Sequence, residues 1–407
     1  MSDAGARVIG ECRRIAAMSE EPGRTTRRFL TQAVREVHEH LRTRMEALGM
    51  TLRVDAAGNM RGLWQPANAT SKRVLIGSHI DTVPDAGAFD GVLGVVIALA
   101  YVAQAKASHL PLAIEVIAFS EEEGVRFGVP FIGSRAVAGR LDAALLDRRD
   151  ASGVAVAEAI RAFGLDPRKM TEAALDDDVA CFFEVHIEQG PVLEAEKLSL
   201  SAVNAIAGQT RLAAEFIGKA NHAGTTPMKL RADALAGAAE WISRVEQLGL
   251  STEGLVATVG KIEAQPNAGN VVAGKATVSL DVRHARDAVR LYAVEQLVES
   301  AGTIASRRGL RFESRTLLEQ AAVPMDERIT SFVADAIEAA GLPVKMMTSG
   351  AGHDAMVLAA RVPTAMLFLR SPGGLSHHPD ETVLEEDVDA ALRVGGIFLE
   401  RLAAEFR

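Results

Sequence analysis

The chain has 407 residues, which exceeds the usual size of one domain and predicts about two domains. With 24% charged residues and a net charge of -9, it lacks the positive surface expected of a nucleic-acid-binding protein. Its two cysteines, Cys12 and Cys181, indicate no disulfide framework and favour a reducing cytoplasm. The apolar run 92–103 is too short to span a bilayer, so we expect no membrane association.

The first predicted helix is amphipathic and ends at a glycine. Apolar residues recur at helical spacing over residues 30–48, and Gly49 is a typical stop signal. The apolar run 74–77 then predicts a buried parallel strand, and open α/β sheets carry their functional side chains at the carboxyl ends of such strands. His79 and Asp81 follow this run directly, so they begin a candidate site.

His79 and Asp90 are the first candidate metal ligands. A neutral imidazole and a carboxylate both bind zinc or manganese, and the two oxygens of a carboxylate can bridge two cations. We expect the side chain of Asp81 to accept the other ring N–H of His79 and so fix its tautomer. The segment 92–103, directly after this motif, predicts a buried helix behind the site.

Two further clusters follow predicted strands or lie on them. Glu121–Glu123 follow the apolar run 113–119. Adjacent carboxylates of this kind repel one another unless they are solvated or bound to cations. An alternating stretch then predicts a strand with Glu184, His186 and Glu188 on one face.

The last cluster, residues 375–381, contains His377 and His378. A lone run of glutamates is usually a solvated turn, and a lone histidine is more often a surface or core residue than a ligand. Four clusters of this kind at strand ends and in loops together favour a metal site.

A second domain is predicted to be inserted into the first. Helices and strands alternate to about residue 203, which indicates an α/β fold with a mostly parallel central sheet. From about residue 209 the order becomes strand, helix, strand, strand, helix, strand, which is the split ferredoxin-like unit. Its segments are 211–217, 233–248, 255–262, 276–283, 288–307 and 311–317. We therefore expect one domain of residues 1–207 and 324–407, and an inserted α+β domain of residues 208–323.

Nearly the whole chain resembles the metal-dependent aminoacylase and carboxypeptidase superfamily. Within it, the chain is most similar to the hydantoinase/carbamoylase branch of amidohydrolases, because the branch motifs occur here in their usual order. The motifs are Gly77–Pro84, Phe89–Gly91, Glu122–Phe127, His186–Pro191, Asn221–Met228, Gly350–Ala355 and Ser376–His377. Peptidase branches share the His-x-Asp element of the first motif and the Glu-Glu element of the third, whereas the strings at 186–191 and 221–228 indicate the ureido-cleaving branch.

The resemblance implies two divalent metal ions per subunit, with zinc, manganese and cobalt all suited to the mixed ligands. It implies that Asp90 bridges the ions, that His79 and His186 complete one site, and that Glu123 and His377 complete the other.

Glu122 is the general base that the resemblance implies, and Asp81 belongs to the same catalytic group. This chain has Glu121 where the family commonly has Asn or Asp, which leaves a shift of base and ligand by one position as the alternative. The glycine after the pair, Gly124, favours Glu122 as base and Glu123 as ligand.

Five residues are implied to contact the substrate. His222 and Asn270 would stabilise the oxyanion, Arg283 would bind a substrate carboxylate across a dimer interface, and Gln189 and His353 would be additional contacts. On the residues alone, ordinary roles are favoured for the first three: a loop histidine, a turn asparagine and an arginine paired with a nearby aspartate.

The resemblance implies a cytoplasmic homodimeric hydrolase, dimerised through the inserted lid domain, that acts on carbon–nitrogen bonds other than peptide bonds. Its substrate would be a small ureido carboxylate, either allantoate or an N-carbamoyl-L-amino acid, with release of ammonia and carbon dioxide. The alternatives are a dimetal aminopeptidase or aminoacylase, and a non-catalytic small-molecule binding protein on the same scaffold. The presence of Glu122 favours an enzyme over the binding protein, because a binding protein could keep the metal ligands without a general base.

Overall fold

The computed structural model describes residues 3–69 and 71–406, and the chain divides into two compact units. The main unit combines the residues up to Asn204 with those from Met325 onward, and the inserted unit is Ala205–Pro324. None of the described helices is long and apolar enough to cross a membrane.

The strands are β1 Thr51–Val54, β2 Met60–Trp64, β3 Arg73–His79, β4 Ala113–Phe119, β5 Val179–Ile187, β6 Leu200–Ile206, β7 Gly208–Ile217, β8 Asn221–His222, β9 Val256–Thr258, β10 Ile262–Gln265, β11 Val271–Val272, β12 Lys275–His284, β13 Arg311–Gln320, β14 Val323–Pro324, β15 Met346–Ser349 and β16 Thr364–Leu369. The helices are α1 Ala4–Ala16, α2 Gln32–Leu48, α3 Val92–Ala107, α4 Ile132–Val137, α5 Val156–Ala162, α6 Val192–Glu196, α7 Ala234–Ser251, α8 Asp287–Arg307, α9 Glu327–Ala339, α10 Asp354–Leu358 and α11 Glu385–Glu405. Short 3-10 turns occur at Ala143–Asp147, Pro167–Ala173, Met228–Leu230 and Pro372–Gly374.

The main sheet has a parallel centre and antiparallel flanks. Its strand order is β1-β2-β4-β3-β5-β16-β6-β14, with β15 paired to β6. The four central strands, β4, β3, β5 and β16, are parallel, whereas β2 on one side and β6 on the other run antiparallel to their neighbours. Every residue of β3 and β4 is buried, as expected of strands covered on both faces. The prediction of an α/β fold with a parallel central sheet is confirmed.

Helix α3 lies against the centre of this sheet and begins beside the candidate site. It starts after Gly91, whose φ of 66° suits glycine. A Cβ there would lie 2.5 Å from the ring of His79, so this position admits no side chain without movement of the histidine. A Cβ on Gly94 would lie 2.2 Å from the carbonyl oxygen of Val185, which shows how closely α3 packs on β5. The predicted buried helix is confirmed, as is the stop of α2 at Gly49.

The inserted unit is an antiparallel sheet with two helices on one face. Its strand order is β10-β12-β7-β13, with β9 also paired to β12, and this is the ferredoxin-like arrangement. The single strand expected over 255–262 is wrong, because β9 and β10 are two separate short strands there. Alternate residues of β12 are buried beneath α7 and α8, and the residues between them face outward.

Candidate metal centre

Asp90 is buried and lies at the middle of a cluster of imidazoles and carboxylates in the main unit. Its Oδ1 is 3.8 Å from Nε2 of His79 and 3.3 Å from Nε2 of His186. Its Oδ2 is 3.2 Å from Nε2 of His377, and the same nitrogen is 3.3 Å from Oε1 of Glu123. Each oxygen of Asp90 therefore faces a different set of possible ligands, which is the arrangement that a bridging carboxylate requires.

The two buried histidines both direct Nε2 toward Asp90. Nδ1 of His79 is 3.0 Å from the backbone oxygen of Asp81, and Nδ1 of His186 is 2.9 Å from the backbone oxygen of Ile187. Each Nδ1 must carry the proton to donate to a carbonyl group, which leaves Nε2 with the lone pair that a metal needs. Strand β3 delivers His79 and β5 delivers His186 to the carboxyl edge of the parallel sheet.

The predicted role of the Asp81 side chain toward His79 is wrong. Its carboxylate is 3.8 Å from Nδ1 of His79 and instead accepts the backbone N–H groups of Glu122, at 3.0 Å, and Glu123, at 3.1 Å. Two amide donors compete better for a carboxylate than one ring nitrogen that already has a carbonyl partner. Asp81 therefore fixes the backbone from which both glutamates project.

Glu121 faces away from this cluster. Its φ is +53°, and its carboxylate accepts the backbone N–H groups of Phe29, Arg126 and Phe127. Burial raises the pKa of Glu121 to about 8. Glu122 and Glu123, by contrast, each bring a carboxylate oxygen within 4.8 Å of the ligand atom of His79. This geometry favours the register with Glu122 and Glu123 in the site over the shifted alternative.

The electrostatics of the cluster suit divalent cations. Burial, followed by the charges of Glu123 and Asp354, raises the pKa of Glu122 well above its usual range. The adjacent carboxylates of Asp90 and Glu123, 3.2 and 3.3 Å from its Nε2, raise the pKa of His377 to about 10. Neighbouring carboxylates contribute to both shifts, and bound cations would offset their negative charge.

Unsatisfied atoms give an independent test of whether a metal fits. Oδ2 of Asp90 and Nε2 of His186 are buried and make no hydrogen bond with any described residue. Buried polar atoms are seldom left in this way, and these are the atoms that would bind a metal. The residues present fit a divalent metal centre.

Two predicted substrate contacts lie in or beside the cluster. Nε2 of Gln189 donates to Oδ1 of Asp90, at 3.2 Å, and to Oγ of Ser376, at 3.0 Å. His353 is buried, with Nε2 at 2.9 Å from Oγ of Ser349 and its ring edge-on to His186. Burial lowers the pKa of His353 well below its ordinary value, so the ring is neutral.

Glu381 is a supporting residue to which the sequence analysis assigned no role. Its Oε1 accepts the backbone N–H groups of Phe89, at 2.9 Å, and Asp90, at 3.0 Å. Its side chain packs over Gly87, where a Cβ would lie 2.4 Å from the Cβ of Glu381. The position four residues after His377 was the available signal, but nothing in the sequence indicated the partner 291 residues earlier.

The remaining predicted residues belong to the inserted unit and are described within it. Nδ1 of His222 accepts the backbone N–H groups of Gly224, at 3.1 Å, and Thr225, at 3.2 Å. The backbone oxygen of Asn270 accepts the N–H of Ala223, which holds these two loops together. Strands β8 and β11 continue this pairing.

Arg283 has the ordinary partner that the residues alone suggested. Its Nε and Nη2 donate to the two carboxylate oxygens of Asp281, each at 2.9 Å. Glu188, expected on the same strand face as Glu184 and His186, instead accepts the first N–H groups of α6.

Comparison with known proteins adds to this geometry. A family model described as peptidase family M20/M25/M40 matches residues 75–401. A probable allantoate deiminase of Oryza sativa subsp. japonica is 38% identical over 93% of this chain and 84% of its own length. An N-carbamoyl-L-amino acid amidohydrolase of Geobacillus stearothermophilus is 37% identical over 94% of this chain and 95% of its own. The crystal structure of a hydantoinase/carbamoylase family amidase from Burkholderia multivorans has a TM-score of 0.92 and 31% identity, with 98% of each chain covered.

Proposed function

Because the chain belongs to the peptidase family M20/M25/M40 and is a hydrolase of carbon–nitrogen bonds other than peptide bonds, we propose that it cleaves the ureido bond of a small carboxylate. The substrate is allantoate or an N-carbamoyl-L-amino acid, and the products include ammonia and carbon dioxide. The observation that carries the proposal is the position of Asp90, with one oxygen toward His79 and His186 and the other toward His377.

Two divalent ions, whether zinc, manganese or cobalt, fit this donor set. His79, His186 and Asp90 would hold one ion, and Asp90, Glu123 and His377 would hold the other. Bound there, the ions would polarise the ureido carbonyl group and lower the pKa of water.

Glu122 is the general base of the proposed reaction. Its backbone N–H donates to the carboxylate of Asp81, which fixes its position beside the candidate ligands, and its carboxylate can take a proton from the attacking water. The resulting carboxylic acid then supplies the proton to the departing nitrogen. Asp81 contributes by positioning this base.

His222 and Asn270 are proposed to stabilise the oxyanion. Nδ1 of His222 accepts two backbone N–H groups, so the ring proton of the neutral tautomer is on Nε2. Nε2 is therefore a donor, as stabilisation of an oxyanion requires. The hydrogen bond from Ala223 to the backbone of Asn270 keeps the two candidate donors on neighbouring loops.

Arg283 is proposed to bind the substrate carboxylate, with Gln189 and His353 as further contacts. Asp281 orients the guanidinium group by binding its Nε–Nη2 edge. An oriented guanidinium loses less entropy when it binds a carboxylate, which favours recognition of substrates that carry this group.

We also propose that the chain forms a homodimer through the inserted unit and that this unit acts as a lid over the substrate. Strand β10 pairs with β12 on one side, and among the described residues no strand pairs with its other side. Ile262 on this strand and Leu235 on α7 are exposed apolar residues next to that edge. An open edge with apolar neighbours is suited to association with a second copy.

Ammonia release tests the function directly. The protein is reconstituted with zinc, manganese or cobalt and assayed with allantoate, N-carbamoyl-L-amino acids, N-carbamoyl-β-alanine, an N-acetyl amino acid and a dipeptide. We expect turnover of a ureido carboxylate and little hydrolysis of the last two. Preferred cleavage of the dipeptide or the acetyl amino acid would instead establish the peptidase or aminoacylase alternative, and binding without turnover would establish the non-catalytic one.

Mixing two inactive variants tests the proposed contribution of Arg283 to the partner's site. If Arg283 acts in the partner subunit, a dimer of one Arg283→Ala and one Glu122→Gln subunit contains one intact site, so activity returns on mixing. If it acts within its own subunit, every site has one defect and mixing restores nothing.

A further inference from the structure

A second arginine shares the carboxylate that holds Arg283. Oδ2 of Asp281 accepts hydrogen bonds from Nη2 of Arg283, Nε of Arg211 and Nε2 of Gln209, at 2.9, 2.9 and 2.7 Å. The register of β7 and β12 explains the cluster, because Asp281 lies opposite Arg211 and Arg283 lies opposite Gln209. All four side chains are on the outward face of the sheet, away from the buried core beneath α7 and α8.

The charges of this cluster do not cancel. Two guanidinium groups face one carboxylate, so the group has a net charge of about +1. Burial opposes the ionisation of Asp281, but its hydrogen bonds with Arg283, Arg211 and Gln209 lower its pKa, so it stays ionised. The side chain of Arg211 is 50% exposed, and exposed ion pairs stabilise a fold little. Arg211 is thus a cationic side chain whose ion pair the fold itself does not require.

We propose that Arg211 is a second substrate-binding residue, which acts with Arg283 on the anionic end of a ureido carboxylate. This inference rests on the proposed function and deepens it. Asp281 already has one oxygen in contact with both guanidinium groups, so the two arginines are close enough to act on a single carboxylate. A pair of arginines rather than one favours ureido acids over neutral ureides.

The test compares a charged substrate with its neutral counterpart. The preferred N-carbamoyl-L-amino acid, or allantoate, is assayed beside its carboxamide, and an inhibition constant is measured where the carboxamide is not cleaved. We expect Arg211→Ala to raise KM for the acid about 10-fold or more, with kcat and the constant for the carboxamide nearly unchanged. Thermal unfolding should also be unchanged, because the ion pair is exposed.

Arg315→Ala is the matched control. Arg315 is on the neighbouring strand β13, where it pairs with Ala213 of β7. The substitution therefore removes the same charge from the same face of the sheet. We expect it to leave both constants unchanged. An equal loss of acid preference in Arg315→Ala would show that only the overall charge matters and would overturn the assignment of Arg211.

The outcomes separate this inference from the proposed function. If Arg283→Ala loses the preference for the acid and Arg211→Ala keeps it, the inference is wrong and the proposed function stands. If neither variant loses the preference, the carboxylate role of Arg283 fails as well. If the parent protein cleaves no ureido carboxylate, the proposed function is wrong and the inference falls with it.

Discussion

Glu381 should control metal binding although it is not a ligand. Its Oε1 accepts two backbone N–H groups, one of them from Asp90, and the side chain is buried. Hydrogen bonds to a charged group contribute about 1.5 to 3 kcal/mol each. Loss of both in Glu381→Ala should therefore remove at least about 3 kcal/mol of the free energy that holds the backbone of Asp90 in place. If metal binding must then supply the free energy that holds the backbone of Asp90 in place, the metal affinity falls about 100-fold. Glu381→Gln keeps an oxygen acceptor without the charge, so we expect its metal affinity to fall only about 10-fold.

Competition with a chelator measures both affinities, and elemental analysis of the purified protein checks them. Asp380→Asn is the control, because it removes the same charge from the next residue, whose side chain is 82% exposed. The expected order of affinity is parent and Asp380→Asn, then Glu381→Gln, then Glu381→Ala. A Glu381→Ala protein that binds zinc as tightly as the parent would refute the argument that this carboxylate places Asp90.

Three other substitutions test the site and the fold. Glu122→Gln should retain both metals by elemental analysis and lose turnover by about 100-fold or more, because an amide cannot accept the proton; near-normal activity would remove Glu122 as the base. Asp90→Ala should lose metal as well as activity, since one residue serves both ligand sets; full metal content would contradict this. Burial lowers the pKa of His38 to about 4. Between pH 6.5 and 4 the imidazole of His38 is therefore protonated in the unfolded chain but not in the folded chain. About 3 kcal/mol of the folding stability present above pH 6.5 is lost as the pH falls through that range. His38→Leu should show a smaller decrease in thermal midpoint between pH 7 and 5 than the parent, and equal decreases would argue against this linkage.

The fold followed from local patterns where burial is uniform. The apolar run at 74–77 predicts a buried parallel strand and the run at 113–119 predicts a strand, and every residue of β3 and β4 is buried. The antiparallel flanks β2 and β6 were not foreseen, because strand direction at a sheet edge depends on connections that periodicity does not encode. The division of segment 255–262 into β9 and β10 was missed for a similar reason, since both parts read as one stretch of strand-forming residues.

At the site, residue types could be predicted better than their partners. His79, Asp90 and His186 lie close together, because His79 ends β3, His186 is on the adjacent β5, and Asp90 lies just before α3. The partner of the Asp81 carboxylate was wrong, because the amides of Glu122 and Glu123 are distant in sequence and carry no side-chain signal. Backbone donors are present at nearly every position, so sequence alone cannot indicate which of them a buried carboxylate will accept.

The candidate metal centre draws on both ends of the chain. His79 and Asp90 come from its first quarter, whereas His377 and Glu381 lie close to its carboxyl terminus, after the whole inserted unit. During synthesis the early ligands therefore emerge long before their partners. The nascent chain cannot assemble this candidate centre before His377 has been synthesised, after the whole inserted unit.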